Sequence, residues 1–204
     1  RPAERRVTAL SGRWLHIDCF SGIAGDMTLA ALIDLGVPRS VVTEALAAVG
    51  LGANLGAAAC TLEQAFAELG RLPRSRLLRA SRLYRTRAWG RTDQPDFINA
   101  VALVETELAA PDLLQALLAI ERGFGRERPA GERWGPRTLD LDLLLFGDAV
   151  IDQPGLRVPH PHLHERAFAL LPLAEIAPEL RIPGRGSVAA HAAGMAADGI
   201  EALP

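Results

Sequence analysis

Two aspartates separated by one residue are the part of this sequence best suited to hold a hard cation. In a β-strand, the side chains of Asp140 and Asp142 point to the same face, about 6.6 Å apart. The alternate positions, Leu139, Leu141 and Leu143, then face the core. Mg²⁺ prefers one or two carboxylates completed by phosphate oxygens and water, and two such ions can flank a phosphoryl group in transfer. An isolated pair of this kind is more often the exposed face of a half-buried strand, so the neighbouring residues must decide.

A cluster of arginines precedes the paired aspartates and favours the metal-phosphate interpretation. The cluster comprises Arg122, Arg126, Arg128, Arg133 and Arg137. Guanidinium groups there would neutralise phosphate charge that the cations leave uncovered. The alternative is a solvated basic face in which nearby glutamates pair with some of these arginines. That alternative does not explain why five arginines converge on two acids.

A second cluster could bind a flat heterocycle. Thr86 is followed by a turn at residues 93–96 and then by Phe97 and Asn99. Phe97 and Trp134 could sandwich an aromatic ring, and the Asn99 amide could read its donor and acceptor edge. Taken alone, the cluster is equally typical of a turn that leads into a strand with Phe97 in the core.

Three histidines alternate along one short stretch: His160, His162 and His164. Their spacing resembles a metal-binding tract, but no cysteine or further ligand cluster supports zinc. We interpret the stretch as a loop whose His160 contacts phosphate or a nucleobase.

The periodicity of apolar residues predicts the elements that position these groups. We expect strands at residues 45–51, 77–84, 97–108 and 138–146, helices at 61–69 and 111–124, and a helical tail at 165–173 and 188–197. The start of the first strand is ambiguous, because residues 41–49 could also continue a preceding helix. Thr61 is placed as a helix N-cap, and Asp112 and Glu121 are expected on exposed turns.

The order β, α, β, β, α, β predicts an α+β fold of the ferredoxin-like, split βαβ type, an antiparallel sheet with helices on one face. We assign this domain to residues 45–204. Residues 1–44 form a separate extension, predicted as a strand at 14–20, a glycine-bearing turn and two helices. The extension is too short to bury a core of its own.

Composition narrows the function classes. Hydrophobic residues make up 49% of the 204 residues and charged residues 23%, the balance of a protein that folds in water. The net charge of −2 argues against non-specific nucleic-acid binding, and no apolar run is long enough to span a membrane. Cys19 and Cys60 have neither disulfide nor metal-ligand spacing, so we expect a cytoplasmic protein. We also expect a monomer.

Four segments, taken in order, resemble the hydroxymethyl-dihydropterin pyrophosphokinases of folate biosynthesis. They are residues 51–56, 84–86 with 93–99, 133–142 and 158–160, within a region of about 160 residues. The sequence RWGPRTLDLD at residues 133–142 is the most specific of the four. The resemblance implies transfer of the β,γ-pyrophosphoryl group of ATP to the pterin hydroxymethyl group, giving AMP and the pterin diphosphate, with two Mg²⁺ ions.

The same resemblance implies roles for individual residues. Asp140 and Asp142 match the metal ligands, and Arg126 and Arg137 match arginines beside the reacting phosphates. Positions associated with ATP are Glu121, Arg128, Arg133, Trp134, His160 and Arg166. Positions that match the pterin pocket are Gly52, Thr86, Phe97, Asn99, Trp134 and Phe168. The chain departs from the family at Arg87-Ala88, where two prolines are usual, and at Pro161, where some members have an aromatic residue.

Residues 15–37 instead resemble the start of the nickel-insertion proteins that build a nickel-pincer cofactor, through the sequence HIDCFSGIAGDM at residues 16–27. Only the opening of that family's domain is present, so we interpret the segment as a fused remnant or a gene-boundary artefact. Two other hypotheses remain. The altered loop after Thr86 would suit a non-catalytic nucleotide- or pterin-binding module, and residues 1–44 could act as an interaction or metal-delivery element.

Overall fold

A computed structural model describes residues 45–88, 93–126 and 135–203. The chain divides into two units, Arg1–Val42 and Thr43–Pro204. The described residues all belong to the second unit, so the elements predicted within residues 1–44 lie outside them. Within the described part of the chain, no helix is long and apolar enough to cross a membrane.

The burial pattern of the first strand, β1 (Ala45–Ala53), defines the two faces of the sheet. Ala47, Val49, Leu51 and Ala53 are buried on one face, whereas Ala48 is buried on the other. This period of two confirms a strand from residue 45 onward and excludes a helix over the same residues. β1 extends two residues beyond the predicted end.

The other elements follow in an order close to the predicted one. After β1 (Ala45–Ala53) come α1 (Ala58–Leu69), β2 (Ser75–Ala80), β3 (Tyr84–Thr86), β4 (Phe97–Thr106), α2 (Ala110–Gly123), β5 (Asp140–Phe146), β6 (Ile151–Gln153), β7 (Leu156–Val158), a 3₁₀ turn (Leu163–Glu165), α3 (Ala167–Ile176), β8 (Arg181–Ile182), β9 (Gly186–Ser187), α4 (Val188–Ala193) and β10 (Ile200–Ala202).

The main sheet is antiparallel and has the order β10-β3-β4-β1-β5, with β2 also paired to β4. The prediction of one strand over residues 77–84 is wrong, because the strand is interrupted between β2 and β3. At the break, Ser81 N donates to Val101 O at 2.9 Å, and Val101 N donates to Ser81 Oγ at 2.9 Å. A serine hydroxyl therefore replaces a backbone acceptor where the strand is interrupted.

Helices cover both faces of this sheet. Leu62, Leu69, Leu113 and Leu117 of α1 and α2 pack on one face, as predicted. The prediction that helices occupy one face only is incomplete, because α3 and α4 cover the opposite face with residues such as Leu170. A β-bulge in β5 lets that strand contribute side chains to the hydrophobic cores on both faces of the sheet. The pairing shifts there from Ala48↔Leu145 to Val49↔Leu143.

Two local predictions are corrected. Helix α1 begins at Ala58, with Ala57 as its N-cap residue and no side-chain cap, so Thr61 lies inside the helix. The alanines at residues 57–59 are strong helix formers and extend the helix by one turn. Glu121 is buried, with 2% of its surface exposed, whereas Asp112 is exposed as predicted.

Candidate active site

The paired aspartates lie on β5 opposite two glycines of β1. Asp140 is opposite Gly52, and Asp142 is opposite Gly50. On the other side of β1, Gly52 is opposite Asn99 of β4. Directly opposed residues in an antiparallel sheet point to the same face, so acids, glycines and amide line one surface. The leucines at 139, 141 and 143 are buried on the other face, which confirms the predicted alternation.

The two glycines leave the floor of this surface without side chains. A Cβ atom at Gly52 would lie 3.2 Å from Asn99 Oδ1, and one at Gly50 would lie 3.2 Å from Leu144 Cδ1. Both distances are shorter than ordinary van der Waals contact. Asn99 and Leu144 therefore lie so close to the two glycines that neither position would accept a larger residue without a shift of its neighbour.

Two of the predicted arginines converge on the first aspartate. Arg126 Nη1 contacts Glu121 Oε1 and lies 2.5 Å from Asp140 Oδ1, while Arg137 Nη1 pairs with Asp140 Oδ2. The Arg126 side chain is only 10% exposed. Both oxygens of Asp140 are thus paired with guanidinium groups, whereas Arg122 is exposed on the last turn of α2.

Glu121 connects the end of α2 to the start of β5. Its Oε1 atom accepts a hydrogen bond from Leu141 N at 2.8 Å and also contacts Arg126. A buried carboxylate costs free energy unless charged or hydrogen-bonding partners compensate it, and here it has both. Glu121 is therefore placed to hold Arg126 and β5 together.

Burial and charge shift two pKa values in the site. Burial, together with the negative charge of Asp140, raises the pKa of Asp142 to about 6, against the opposing effects of Arg166 and Arg137. Burial and the positive charges of Arg166 and His162 lower the pKa of His160 to about 4. A carboxyl group whose ionisation is opposed by a neighbouring negative charge, as for Asp142, is suited to accept a cation, and His160 is neutral at neutral pH.

A cavity of about 700 Å³ adjoins the second aspartate. Its lining includes Asp142, His160, Leu114 of α2, and Asp152 and Arg157 of the β6–β7 hairpin. This volume lies within the range of small-molecule sites. Of the alternating histidines, only His160 lines the cavity, whereas His162 and His164 pair with Glu165.

The predicted heterocycle-binding residues lie on the other side of the acids. Asn99 Nδ2 donates to Thr86 Oγ1 at 2.7 Å, and both residues are buried. Phe97 is half-buried and opposite Thr86 in the β3–β4 ladder. Phe168 is half-buried in the first turn of α3, with the Arg166 guanidinium carbon 5.6 Å from its ring centroid.

One positioning residue was missed by the sequence prediction. Asn54 is 4% exposed; its Oδ1 accepts from Arg137 N at 2.7 Å, and its Nδ2 donates to Gln94 Oε1 at 3.1 Å and Pro95 O at 3.2 Å. The loops after β1, before β4 and before β5 thus meet at one side chain. An asparagine in a glycine-rich turn suggested only the turn.

Arg128, Arg133 and Trp134 lie outside the described residues, so the Phe97–Trp134 sandwich stays a prediction. Among the residues that the structure describes, no group of three or more His, Cys, Asp or Glu side chains could hold a metal ion. Asp140 and Asp142 nevertheless fit Mg²⁺, because this ion commonly takes one or two carboxylates and completes its shell with phosphate oxygens and water.

Comparison with known proteins adds two family matches. Residues 48–178 match the family of 7,8-dihydro-6-hydroxymethylpterin-pyrophosphokinase (HPPK), and residues 15–66 match the nickel insertion protein family. Both resemblances drawn from the sequence are confirmed.

Two curated relatives cover most of the same region. A 2-amino-4-hydroxy-6-hydroxymethyldihydropteridine pyrophosphokinase of Pseudomonas aeruginosa is 48% identical over 156 residues, covering 76% of this chain and 95% of that protein. A protein of the same name from Synechocystis sp. is 49% identical over 140 residues, covering 69% of this chain and 70% of that protein.

Solved structures share the fold at low sequence identity. HPPK-DHPS in complex with substrates is 13% identical, with a TM-score of 0.58 over 74% of this chain and 43% of that chain. Wild-type Plasmodium falciparum HPPK-DHPS is 14% identical, with a TM-score of 0.54 over 73% of this chain and 43% of that chain. The present chain thus aligns with less than half of each of these longer chains, and the likeness supports the predicted ferredoxin-like fold.

Proposed function

The chain belongs to the 7,8-dihydro-6-hydroxymethylpterin-pyrophosphokinase family, and from this premise we propose which of its residues bind ATP, the metal and the pterin. It is a pyrophosphokinase of folate biosynthesis, which transfers pyrophosphate from ATP to 6-hydroxymethyl-7,8-dihydropterin and releases AMP and the pterin diphosphate. ATP is the co-substrate and Mg²⁺ the metal of the family. The assignment of residues to these ligands, and the number of ions, are our proposals.

The observation that carries the assignment is the position of the acid pair between two different ligand environments. On one side lies the cavity lined by Asp142 and His160. On the other lies the glycine floor with the Asn99–Thr86 hydrogen bond. We assign the cavity to ATP and the glycine floor to the pterin, so that the reacting groups meet above Asp140 and Asp142.

The arginines change partners in this proposal. Arg126 and Arg137 pair with the two carboxylate oxygens of Asp140. When ATP enters, its phosphate oxygens compete for the same guanidinium groups, which form strong bidentate pairs with phosphate. Asp140 is thereby released to act with Asp142 as a cation ligand. Two Mg²⁺ ions bound there would neutralise the triphosphate and align it for transfer.

The pterin side positions the nucleophile. We propose that Asn99 and Thr86 hydrogen-bond the ring edge and that Phe97 and Phe168 contact the ring faces. The hydroxymethyl oxygen then attacks the β-phosphorus in line, the bond from that phosphorus to the α-phosphate oxygen breaks, and AMP leaves. The hydroxyl proton passes to a solvent water molecule as the new oxygen–phosphorus bond forms. Positioning and charge neutralisation suffice, so a covalent enzyme intermediate is not required.

Glu121 receives a different role from the one its sequence position implied. Its contacts with Leu141 N and Arg126 support a positioning role instead of direct ATP contact. Arg166 remains an ATP-binding proposal, supported by the influence of its charge on Asp142 and His160. The monomeric state, the cytoplasmic location, and the ATP roles of Arg128, Arg133 and Trp134 also stay proposals.

The test is AMP release from ATP in the presence of Mg²⁺ and hydroxymethyl-dihydropterin. We expect Asp140→Asn and Asp142→Asn each to reduce turnover by about a hundredfold or more, because transition-state charge is no longer stabilised. The control is Asp112→Asn, which changes an exposed aspartate on α2 and should turn over normally.

Circular dichroism and thermal unfolding of all three variants would show that the fold survives. Near-normal turnover in either site variant at saturating Mg²⁺ would refute the proposed metal ligands. AMP formation by the parent chain would also exclude the binding-only alternative raised by Arg87-Ala88.

A further inference from the structure

Glu175, near the end of α3, joins that helix to the β2–β3 segment. Its Oε2 atom accepts a hydrogen bond from the Tyr84 hydroxyl at 2.8 Å, and its Oε1 atom accepts from Arg82 Nε at 3.0 Å. The Glu175 side chain is 27% exposed and Tyr84 is 8% exposed. The Arg82 guanidinium carbon also lies 5.9 Å from the centroid of the Tyr84 ring. We call these three residues the Glu175 tether.

Both elements joined by the tether carry residues assigned to the pterin pocket. Tyr84 precedes Thr86 by two positions on β3, so the two side chains share a face of the strand. Phe168 precedes Glu175 by seven positions on α3, which is about two turns, so they share a side of the helix. The tether therefore fixes the far ends of two elements whose near ends line the proposed pocket.

The helix between Phe168 and Glu175 is weakened at one point. Pro172 lies inside α3 and has no backbone N–H to donate to the carbonyl of Phe168. The missing bond leaves the C-terminal half of α3 more dependent on contacts from outside the helix. Besides the tether, Arg79 of β2 donates from Nη1 to Ile176 O at 2.6 Å. The strand segment thus holds the C-terminal end of α3 through three side chains.

We infer that Glu175 is a positioning residue for the pterin: it sets the distance between Thr86 on β3 and Phe168 on α3 without contacting the substrate. The inference rests on the proposed assignment of Thr86 and Phe168 to the pterin pocket. It predicts that pterin binding is weakened more than ATP binding, because the ATP cavity is lined by α2, β5, the β6–β7 hairpin and His160, and only Arg166 among the residues assigned to ATP lies at the start of α3. Burial and the adjacent Glu175 raise the pKa of Tyr84, so the phenol remains a hydrogen-bond donor at neutral pH.

The experiment measures equilibrium binding of hydroxymethyl-dihydropterin to the full chain in the presence of Mg²⁺ and a non-hydrolysable ATP analogue. In Glu175→Leu and in Tyr84→Phe, we expect the pterin Kd to rise roughly five- to tenfold. The Kd of the ATP analogue, measured alone, should stay within about twofold of the parent value. Glu175→Gln keeps an oxygen that can accept from Tyr84 and should recover part of the affinity.

Glu105→Leu is the matched control. Glu105 is 29% exposed and pairs with Arg76 at 2.8 Å, so the same chemistry is removed. It lies six residues beyond Asn99 on β4, about 20 Å away along the strand. Thermal unfolding of every variant, with the same ligands, separates lost positioning from lost folding, because folding loss would weaken both ligands together.

The variant Asn99→Ala tests the assignment of the pterin pocket separately from the inference about Glu175. Weaker pterin binding in Asn99→Ala, with unchanged binding in Glu175→Leu, would overturn the tether alone. Unchanged binding in Asn99→Ala would overturn the pocket assignment and the inference with it. Equal loss of both ligands in Glu175→Leu, or an equal pterin effect in Glu105→Leu, would also refute a positioning role.

Discussion

Ionisation of Asp142 costs free energy in the folded protein, and the negative charge of Asp140 contributes to that cost. Burial and the charge of Asp140 raise the pKa of Asp142 to about 6, whereas an unfolded chain would leave it near 3.8. Between about pH 4 and pH 6 the folded protein binds more protons at this site, so stability is lost as the pH rises through that window. The lowered pKa of His160, about 4, acts in the opposite direction, because stability is lost there as the pH falls below about 6.5.

The substitution Asp142→Asn isolates the effect of Asp142 on stability from the effect of His160. In the absence of metal, Asp142→Asn should be more stable than the parent protein at pH 7.5 by on the order of 2 kcal/mol. The advantage should vanish near pH 4, where the parent aspartate is protonated. Urea unfolding in EDTA at both pH values measures the difference. A variant that is no more stable than the parent at pH 7.5 would contradict the assigned cost of ionisation.

At the scale of residues, the sequence was most informative where chemistry and spacing agreed. Of the five arginines predicted to converge on the paired aspartates, Arg126 and Arg137 do pair with Asp140. The burial of Glu121 was missed because its charge suggested exposure. Its spacing of four from Leu117 and eight from Leu113 nevertheless places it on the buried face of α2. Such a charge is tolerated only beside partners that spacing along one helix cannot reveal.

At the scale of elements, apolar periodicity predicted most helices and strands, but it did not predict the residues at which they begin and end. Helix α1 starts one turn before Thr61 because alanines continue it. The strand expected at residues 77–84 breaks at Ser81, whose hydroxyl pairs with β4. The short β6–β7 hairpin and the cover that α3 and α4 give to the second face depend on tertiary contacts, which no local pattern encodes.

The corrected start of α1 has a measurable consequence. Thr61→Ala should leave the free energy of unfolding unchanged or raise it by about 0.5 kcal/mol, because alanine is the better residue inside a helix. Ser187→Ala should lower it by about 1 kcal/mol, since Ser187 Oγ accepts from Ala190 N at 3.2 Å as the N-cap of α4. Chemical denaturation compares the two. A loss of similar size in both variants would restore Thr61 as a cap.

At the scale of the whole molecule, two family matches overlap within one chain. Residues 48–66 belong to both the pyrophosphokinase match and the nickel insertion protein match. In the structure these residues lie in β1, α1 and the turn between them. We propose that residues 45–204 form the catalytic unit and that residues 1–44 are dispensable for it.

A version beginning at Thr43 tests this proposal. It keeps all of β1, and we expect its turnover number and KM values to stay within about twofold of those of the full chain, because no proposed site residue is removed. AMP release, size-exclusion chromatography and nickel binding should be measured on both proteins. A large loss of turnover, or a change in oligomeric state or nickel binding, would assign a role to the extension.

The contacts of Asn54 place a constraint on how such an enzyme can diversify. One amide group ties together three loops that are distant in sequence, and two of its contacts, with Arg137 N and Pro95 O, are to main-chain atoms. Apart from Asn54 and Gln94, whose side chains meet at the junction, the loops can therefore change their side chains while the backbone path at the shared point is preserved. An insertion in one loop alone would break the junction. Grafting loops from a relative should accordingly succeed when all three are exchanged as a set and fail when they are exchanged singly.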